Sequence, residues 1–322
     1  MHLNRPADWV RLSLCLLAVA PWSGARAADA GGIRVAQSSS AGSAVAPTPA
    51  TRAQNAAADL FDMGKLALMN RDFAGAIRWL QAAAEQGHAL AQSELAGMYL
   101  AGAGVRQDDV QAAKWYRKAA EQGDADAQTC LGLLYAQGRG VAREESVAVD
   151  WFRRAAEQDN AAGQSNLGAM YMDGRGVDRN EVEAEHWIHQ AAVQGEPLAQ
   201  DNLGLLFRDA RGVERDDIEA AYWFERSAEQ DYADAQTHLA QMYLEGRGVH
   251  QSDSEAAQWF RKAAEQGDVL AQYYFGVSLA EGRGIDRDHD QALRWLKTSA
   301  RQGLELARDY LWTIGNVTAD SN

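Results

Sequence analysis

The chain has 322 residues, 47% of them hydrophobic and 24% charged, with a formal net charge of −14 at pH 7. That length allows more than one core. The acidity excludes the phosphate-neutralising surface that nucleic-acid binding requires, and it disfavours anionic membranes. A basic partner, or simple solubility, suits such a charge.

Arg5 and Arg11 flank a short polar start, and Leu12 to Ala20 is an apolar run too short to span a bilayer as a permanent helix. Ala25-Arg26-Ala27 then supplies small residues where a signal peptidase reads. Residues 1–27 are therefore expected to be a signal peptide, making the protein periplasmic or secreted. Cys15 lies inside the apolar run and after the large Leu14, which argues against lipidation. Once this segment is removed only Cys130 remains, and no internal disulfide is possible. Residues 28–54, rich in Ala, Ser, Gly, Gln, Thr and Pro without an apolar period, read as a disordered linker. No later stretch is apolar enough to span a membrane, so no stable membrane insertion is expected. Residues 1–52 hold five Arg and two acids, net +3, so the remainder carries −17.

From residue 55 the chain repeats. Trp79, Trp115, Trp151, Trp187, Trp223, Trp259 and Trp295 stand 36 residues apart. A period of this size marks a unit stacked on copies of itself. Each Trp has Ala three residues before it, a large apolar residue after it (Leu80, Tyr116, Phe152, Ile188, Phe224, Phe260, Leu296) and two small residues one turn on. These offsets share one helical face. Burying one Trp removes about 150–250 Å² from water, worth roughly 4–6 kcal/mol as an upper bound, so the tryptophans are expected to hold the interior.

A second helix precedes it in each repeat, written Ala-Gln-x-x-Leu-Gly/Ala-x-x-Tyr, as at Ala127 to Tyr135. Its recurrent glycine (Gly132, Gly168, Gly204, Gly276) costs roughly 1 kcal/mol in a helix, which suggests two helices meeting backbone to backbone there. Gly-x-Gly-Val follows at 102–105, 138–141, 174–177 and 246–249, with a variant at 282–285 and Ala210 in place of the first glycine of the fifth repeat. Acids such as Asp108, Glu144 and Asp216 then open the Trp helix, which stops at Gln-Gly.

These motifs in phase resemble the Sel1-like repeat, a relative of the tetratricopeptide repeat. The resemblance implies an all-α, right-handed α-solenoid of stacked antiparallel helix pairs over residues 55–317. Its repeats would be 55–87, 88–123, 124–159, 160–195, 196–231, 232–267 and 268–303, followed by a capping helix at 304–316. The first repeat is shorter, with Asn70–Asp72 in place of the glycine loop, and reads as a cap. Relatives act in envelope signalling, polysaccharide export, motility and host interaction. Some cysteine-rich relatives have been linked to penicillin binding or β-lactam hydrolysis, but their cysteine framework is missing here.

Motifs that would carry chemistry read as structural. His186-x-x-His189 beside Glu185 offers two imidazoles without a third ligand, and reads as a solvated helix face. Asp286, Asp288 and Asp290 begin like a calcium loop, but Gln291 and Lys297 break it, which leaves acids at a helix start. Gly-Arg-Gly joins helices rather than a strand to a helix, so it is a turn. Arg139, Arg175, Arg211, Arg247 and Arg283 are expected to pair with neighbouring acids or cap carbonyls. The seven glutamines from Gln86 to Gln302 are expected to form a ladder between repeats. Cys130 reads as a half-buried apolar residue. Neither a catalytic residue nor a cofactor or metal is expected.

Specificity should lie where repeats differ. On a helical wheel the variable positions of the first helices fall outside the packed stripe. In tetratricopeptide-like stacks that helix lines a concave groove. The candidate partner-binding residues are Leu133, Asn166, Asn202, Leu205, Arg208, His238, Gln241, Tyr273 and Tyr274, with Met172 and Val277 beside them. Tyr273 and Tyr274 are the best anchors. The expectation is a monomeric, non-catalytic scaffold or adaptor of the bacterial envelope that binds another protein. The alternatives are a secreted host-interaction factor or a periplasmic hydrolase of the β-lactamase-like subgroup.

Overall fold

A computed structural model describes residues 49–319, with side chains described over 54–314. The expected signal peptide lies outside the described residues, as do residues 28–48 of the expected linker. The described residues form fifteen helices and no strand. They divide into two compact bodies, one ending at Gln158 and one beginning at Asp159.

The first body contains α1 (Pro49–Met69), α2 (Phe73–Glu85), α3 (Ala89–Ala101), α4 (Asp109–Glu121), α5 (Ala125–Gln137) and α6 (Glu145–Ala156). The second contains α7 (Ala161–Asp173), α8 (Glu181–Val193), α9 (Pro197–Asp209), α10 (Asp217–Ala228), α11 (Ala233–Glu245), α12 (Asp253–Glu265), α13 (Val269–Glu281), α14 (His289–Arg301) and α15 (Glu305–Ala319). Within each body, helices pair in sequence order and the pairs stack, which makes the fold an all-α solenoid. Helix α1 begins at Pro49, inside the segment expected to be a linker.

Side chains close the helix ends. Asp108 accepts from the Val110 and Gln111 amides, and Asp216 does the same for Ile218 and Glu219. Such caps satisfy N–H groups that the first turn leaves without partners. First helices end on a left-handed residue, usually glycine, but Ala210 holds that conformation at φ 56° despite its Cβ.

The interior differs from the expectation in one respect. The fully enclosed residue is the one after each tryptophan: Leu80, Phe152, Ile188, Phe224, Phe260 and Leu296 are all essentially inaccessible. Of the tryptophans, Trp115 and Trp223 are buried at 7% and 9% exposure, Trp79 is 37% exposed, and the other four are half-buried. Adjacent helical residues differ by about 100° in direction, so only one of the two bulky side chains can point at the paired helix. The tryptophan lies beside it, and Trp115, Trp151 and Trp259 take a cation one turn on, with Lys118 Nζ 4.1 Å and Lys262 Nζ 3.8 Å from the ring centroids of Trp115 and Trp259.

The recurrent glycine receives the enclosed side chain. A Cβ on Gly132 would lie 2.6 Å from the Phe152 ring, and one on Gly204 2.6 Å from Phe224. The contact is mainly side chain against backbone, with a carbonyl of the paired helix also close at Gly168 and Gly204, where the sequence suggested a backbone-to-backbone meeting. Ala240 stands in the same place opposite Phe260, so the arrangement also accepts a methyl group.

Candidate partner-binding face

The connections between repeats account for most of the periodic polar residues. Gln92 Nε2 donates to the Ala84 carbonyl (3.0 Å), while its Oε1 accepts from Gln122 Nε2 (2.7 Å). The second body repeats this: Gln200 donates to Ala192 O (3.1 Å) and accepts from Gln230 (2.8 Å), and Gln236 donates to Ala228 O (3.2 Å) and accepts from Gln266 (2.8 Å). The glutamine ladder is thus built from two glutamines per step, one on each helix of a repeat, and it ends on a carbonyl of the repeat before.

The loop arginines form a second connection. Arg139 grips Asp109 through two bonds of 3.0 and 2.9 Å, and Arg247 reaches Asp217 at 2.7 Å. Arg211 reaches Glu181 at 3.3 Å, and Arg283 lies 3.7 Å from Asp253. Each acid opens the second helix of the preceding repeat, 30 residues back. The glycine after the arginine brings the loop onto the same helix start, since a Cβ on Gly140 would sit 2.0 Å from the Asp109 carbonyl oxygen. Asp217 accepts from both Arg247 and Arg215, which hold its carboxyl down at about 2. The Arg-Gly pair is therefore a backbone latch with an ionic clamp.

The candidate groove residues separate into two groups. Leu133, Asn166, Asn202 and Leu205 are buried, as is Met172. Their expected exposure is corrected, and α9 shows the reason: Leu205 shares an apolar cluster with Leu239 and Met242 of the next first helix, α11. Asp201 on α9 lies 2.8 Å from His238 on α11, so a face that an isolated helical wheel leaves open is covered by the neighbour. Asn166 donates to its own helix at Ala162 O (2.9 Å), but its Oδ1 has no hydrogen-bond partner, nor does Asn202 Nδ2.

Arg208, His238, Gln241, Tyr273 and Tyr274 are partly accessible. Arg208 is held by Asp209 through bonds of 3.0 and 2.9 Å. His238 tilts over Phe224 at 5.0 Å while it pairs with Asp201. The two tyrosines belong to a larger aromatic group. Tyr274 stacks on Phe260 at 4.9 Å, Tyr273 meets Tyr274 at 5.1 Å, and Tyr310 of α15 meets Tyr273 edge-on at 6.3 Å. Tyr310 donates to Glu281 (3.2 Å), and burial together with that carboxylate pushes its hydroxyl up to about 12. Burial raises Tyr273 and Tyr274 as well, with Glu281 and Glu245 adding to it. The Tyr273 and Tyr274 hydroxyls can donate to a bound chain, whereas the proton of Tyr310 is already given to Glu281. Wheel positions within the repeats missed Tyr310, Glu245 and Glu281. The signal for the two acids was present: both end a first helix, 36 residues apart.

Elsewhere the polar motifs are structural. His189 contacts Glu185 at 3.2 Å and His186 contacts Gln190 at 3.0 Å, beside an open recess of about 640 Å³ that Gln164 and Gln194 also line. Among the described residues no group of three or more His, Cys, Asp or Glu could hold a metal ion. Asp288 caps α14 by accepting from the Gln291 amide at 2.9 Å. Cys130 is half-buried. No helix among the described residues is long and apolar enough to cross a membrane.

The Sel1 repeat profile matches residues 51–88, 89–124, 125–160, 161–196, 197–232, 233–268 and 269–304. The chain is similar to a protective antigen present in uropathogenic Escherichia coli strains, which displays an SLR fold. The identity is 37% and the TM-score 0.70, over 81% of this chain and 57% of that one. It is also similar to a Sel1 repeat protein from Oxalobacter formigenes, at 30% identity and a TM-score of 0.69, over 75% of this chain and 96% of that one. A comparison with curated proteins gives no match.

Proposed function

The chain belongs to the Sel1 repeat family, whose members are generally non-catalytic scaffolds for protein–protein interaction, and on that premise we propose that it is an adaptor of the bacterial envelope. In this reading it is exported by its N-terminal segment and retained in the periplasm, where it holds a partner protein on the first-helix face of its second body. The observation that supports it most is the aromatic group of Tyr273, Tyr274 and Tyr310. It breaks the repeat pattern, stays partly accessible and is edged by Glu281. Rigid aromatic side chains with a polar tip are the usual anchors of interfaces. Photo-crosslinking from position 273 in the native envelope, read by mass spectrometry, identifies the partner. Tyr273→Ala with Tyr274→Ala then weakens its capture by roughly 10-fold or more and leaves the helical circular dichroism unchanged. Capture that survives the double substitution removes this face from the interaction.

One observation favours a second reading, a released factor that meets a host protein: the 37% identical relative is a protective antigen. Its own chain is longer, and this chain spans 57% of it. Fractionation separates the readings, since retention in the periplasm supports the adaptor and accumulation in the medium supports the released factor. The hydrolase reading gains no support from any motif or side-chain cluster described above.

A further inference from the structure

The first repeat presents to solvent the side chains that other repeats bury by stacking. Gly64 of α1 receives Leu80, as Gly132 of α5 receives Phe152, which sets the register between them. By that register Met63 corresponds to Leu95, Leu131, Leu203 and Leu239, and Leu66 to Met98, Leu134, Leu206 and Met242. Each of these has a preceding repeat within its own body. The four leucines are 0–1% exposed and the second set 1–5%, whereas Met63 is 45% and Leu66 52% exposed. Met69, further along α1, is also exposed. A terminal repeat that only closed a stack would carry polar residues here, and Met63 and Leu66 instead keep the apolar stacking surface.

We propose that this face of α1 is the contact surface of a homodimer, formed with the same face of a second copy. Residues 28–48, immediately before α1, contain neither Trp nor Leu and show no helical apolar period, so they lack the repeat signature that such a face accepts. Self-association is compatible with the charge. Residues 53–123 hold seven Lys or Arg and eight Asp or Glu, net −1, while residues 124–322 carry the other −16. An isologous contact joins identical patches. Antiparallel pairing of two α1 helices, centred between Met63 and Leu66, sets apolar residues against apolar residues. It also brings Asp59 opposite the Asn70–Arg71 turn of the other copy. The proposal does not depend on the adaptor reading.

Sedimentation equilibrium of the purified full chain at roughly 1–100 μM, the range of ordinary reversible dimers, tests the proposal. The expected result is twice the chain mass. Met63→Lys with Leu66→Lys raises the dimer dissociation constant by roughly 100-fold or more with unchanged circular dichroism. Ile218→Lys, another exposed apolar position, leaves the dimer intact. A wild-type monomer throughout the range, a dimer indifferent to the α1 double variant, or equal loss in Ile218→Lys would each overturn it.

Discussion

Replacing Gln200 by leucine tests whether the glutamine ladder fastens one repeat to the next. Gln200 is 2% exposed and makes two side-chain bonds, to Ala192 O at 3.1 Å and from Gln230 at 2.8 Å. Leucine fills similar space but makes neither. The Ala192 carbonyl keeps the Gly195 amide at 3.0 Å, so no buried acceptor is stranded. Gln230 keeps its own bond to Arg226 O (3.3 Å). The full penalty for an unsatisfied buried group therefore does not apply, and the loss is that of two neutral hydrogen bonds, about 2 kcal/mol at ~1 kcal/mol each. Gln230→Ala should cost about 1–3 kcal/mol, because it leaves the buried Gln200 Oε1 without its donor. The double variant should cost about the same as Gln200→Leu alone, because the bond between the two glutamines is counted in both single variants. Urea unfolding followed at 222 nm gives the midpoints and the coupling. A Gln200→Leu variant within ~0.5 kcal/mol of wild type, or single effects that simply add, would refute the ladder as a fastening and leave it as incidental satisfaction of polar groups.

Further outcomes follow from the same geometry. Phe152→Ala should cost about 3–5 kcal/mol and Trp151→Ala less, the reverse of the order that residue size suggests; urea midpoints of the two variants check it. Asp217 has its pKa lowered from 3.8 to about 2 by Arg247 and Arg215. Its contribution is therefore complete above its unfolded value and is lost as pH falls through about 2. Asp217→Asn should lower the melting temperature at pH 5 and converge on wild type near pH 2. Glu196 behaves oppositely, because burial raises its carboxyl above 4.5 while it caps α9 at the Ala199 amide. A raised acid pKa removes stability as pH rises from the unfolded value through the folded one. Thermal melts of Glu196→Gln from pH 4 to 8 should show that slope flattened. Arg139→Met should lower the urea midpoint of the first body slightly, by about 1 kcal/mol or less, since the clamp on Asp109 is partly exposed; a loss above ~3 kcal/mol would mean that the arginine acts in more than this pair.

The repeat period, both helices of each repeat, the turns between them and most caps could be read from the amino-acid sequence. Each depends on residues within a turn or two of one another, or on recurrence at a fixed interval. The glutamine ladder and the arginine register were visible as rows for the same reason, but their partners, Gln92 or Asp109, were not marked by the row itself. Three results required the tertiary structure. It decided that Phe152 rather than Trp151 fills the paired helix's glycine notch, because two adjacent bulky residues differ only in direction around the axis. It closed Leu133, Asn166, Asn202 and Leu205 to solvent and left Tyr273 and Tyr274 partly open. Finally, it left Met63 and Leu66 uncovered although their residue types match the buried positions of other repeats. A periodic sequence specifies what each helix face is made of, but whether a face meets water, a neighbouring helix or another molecule depends on what stacks against it.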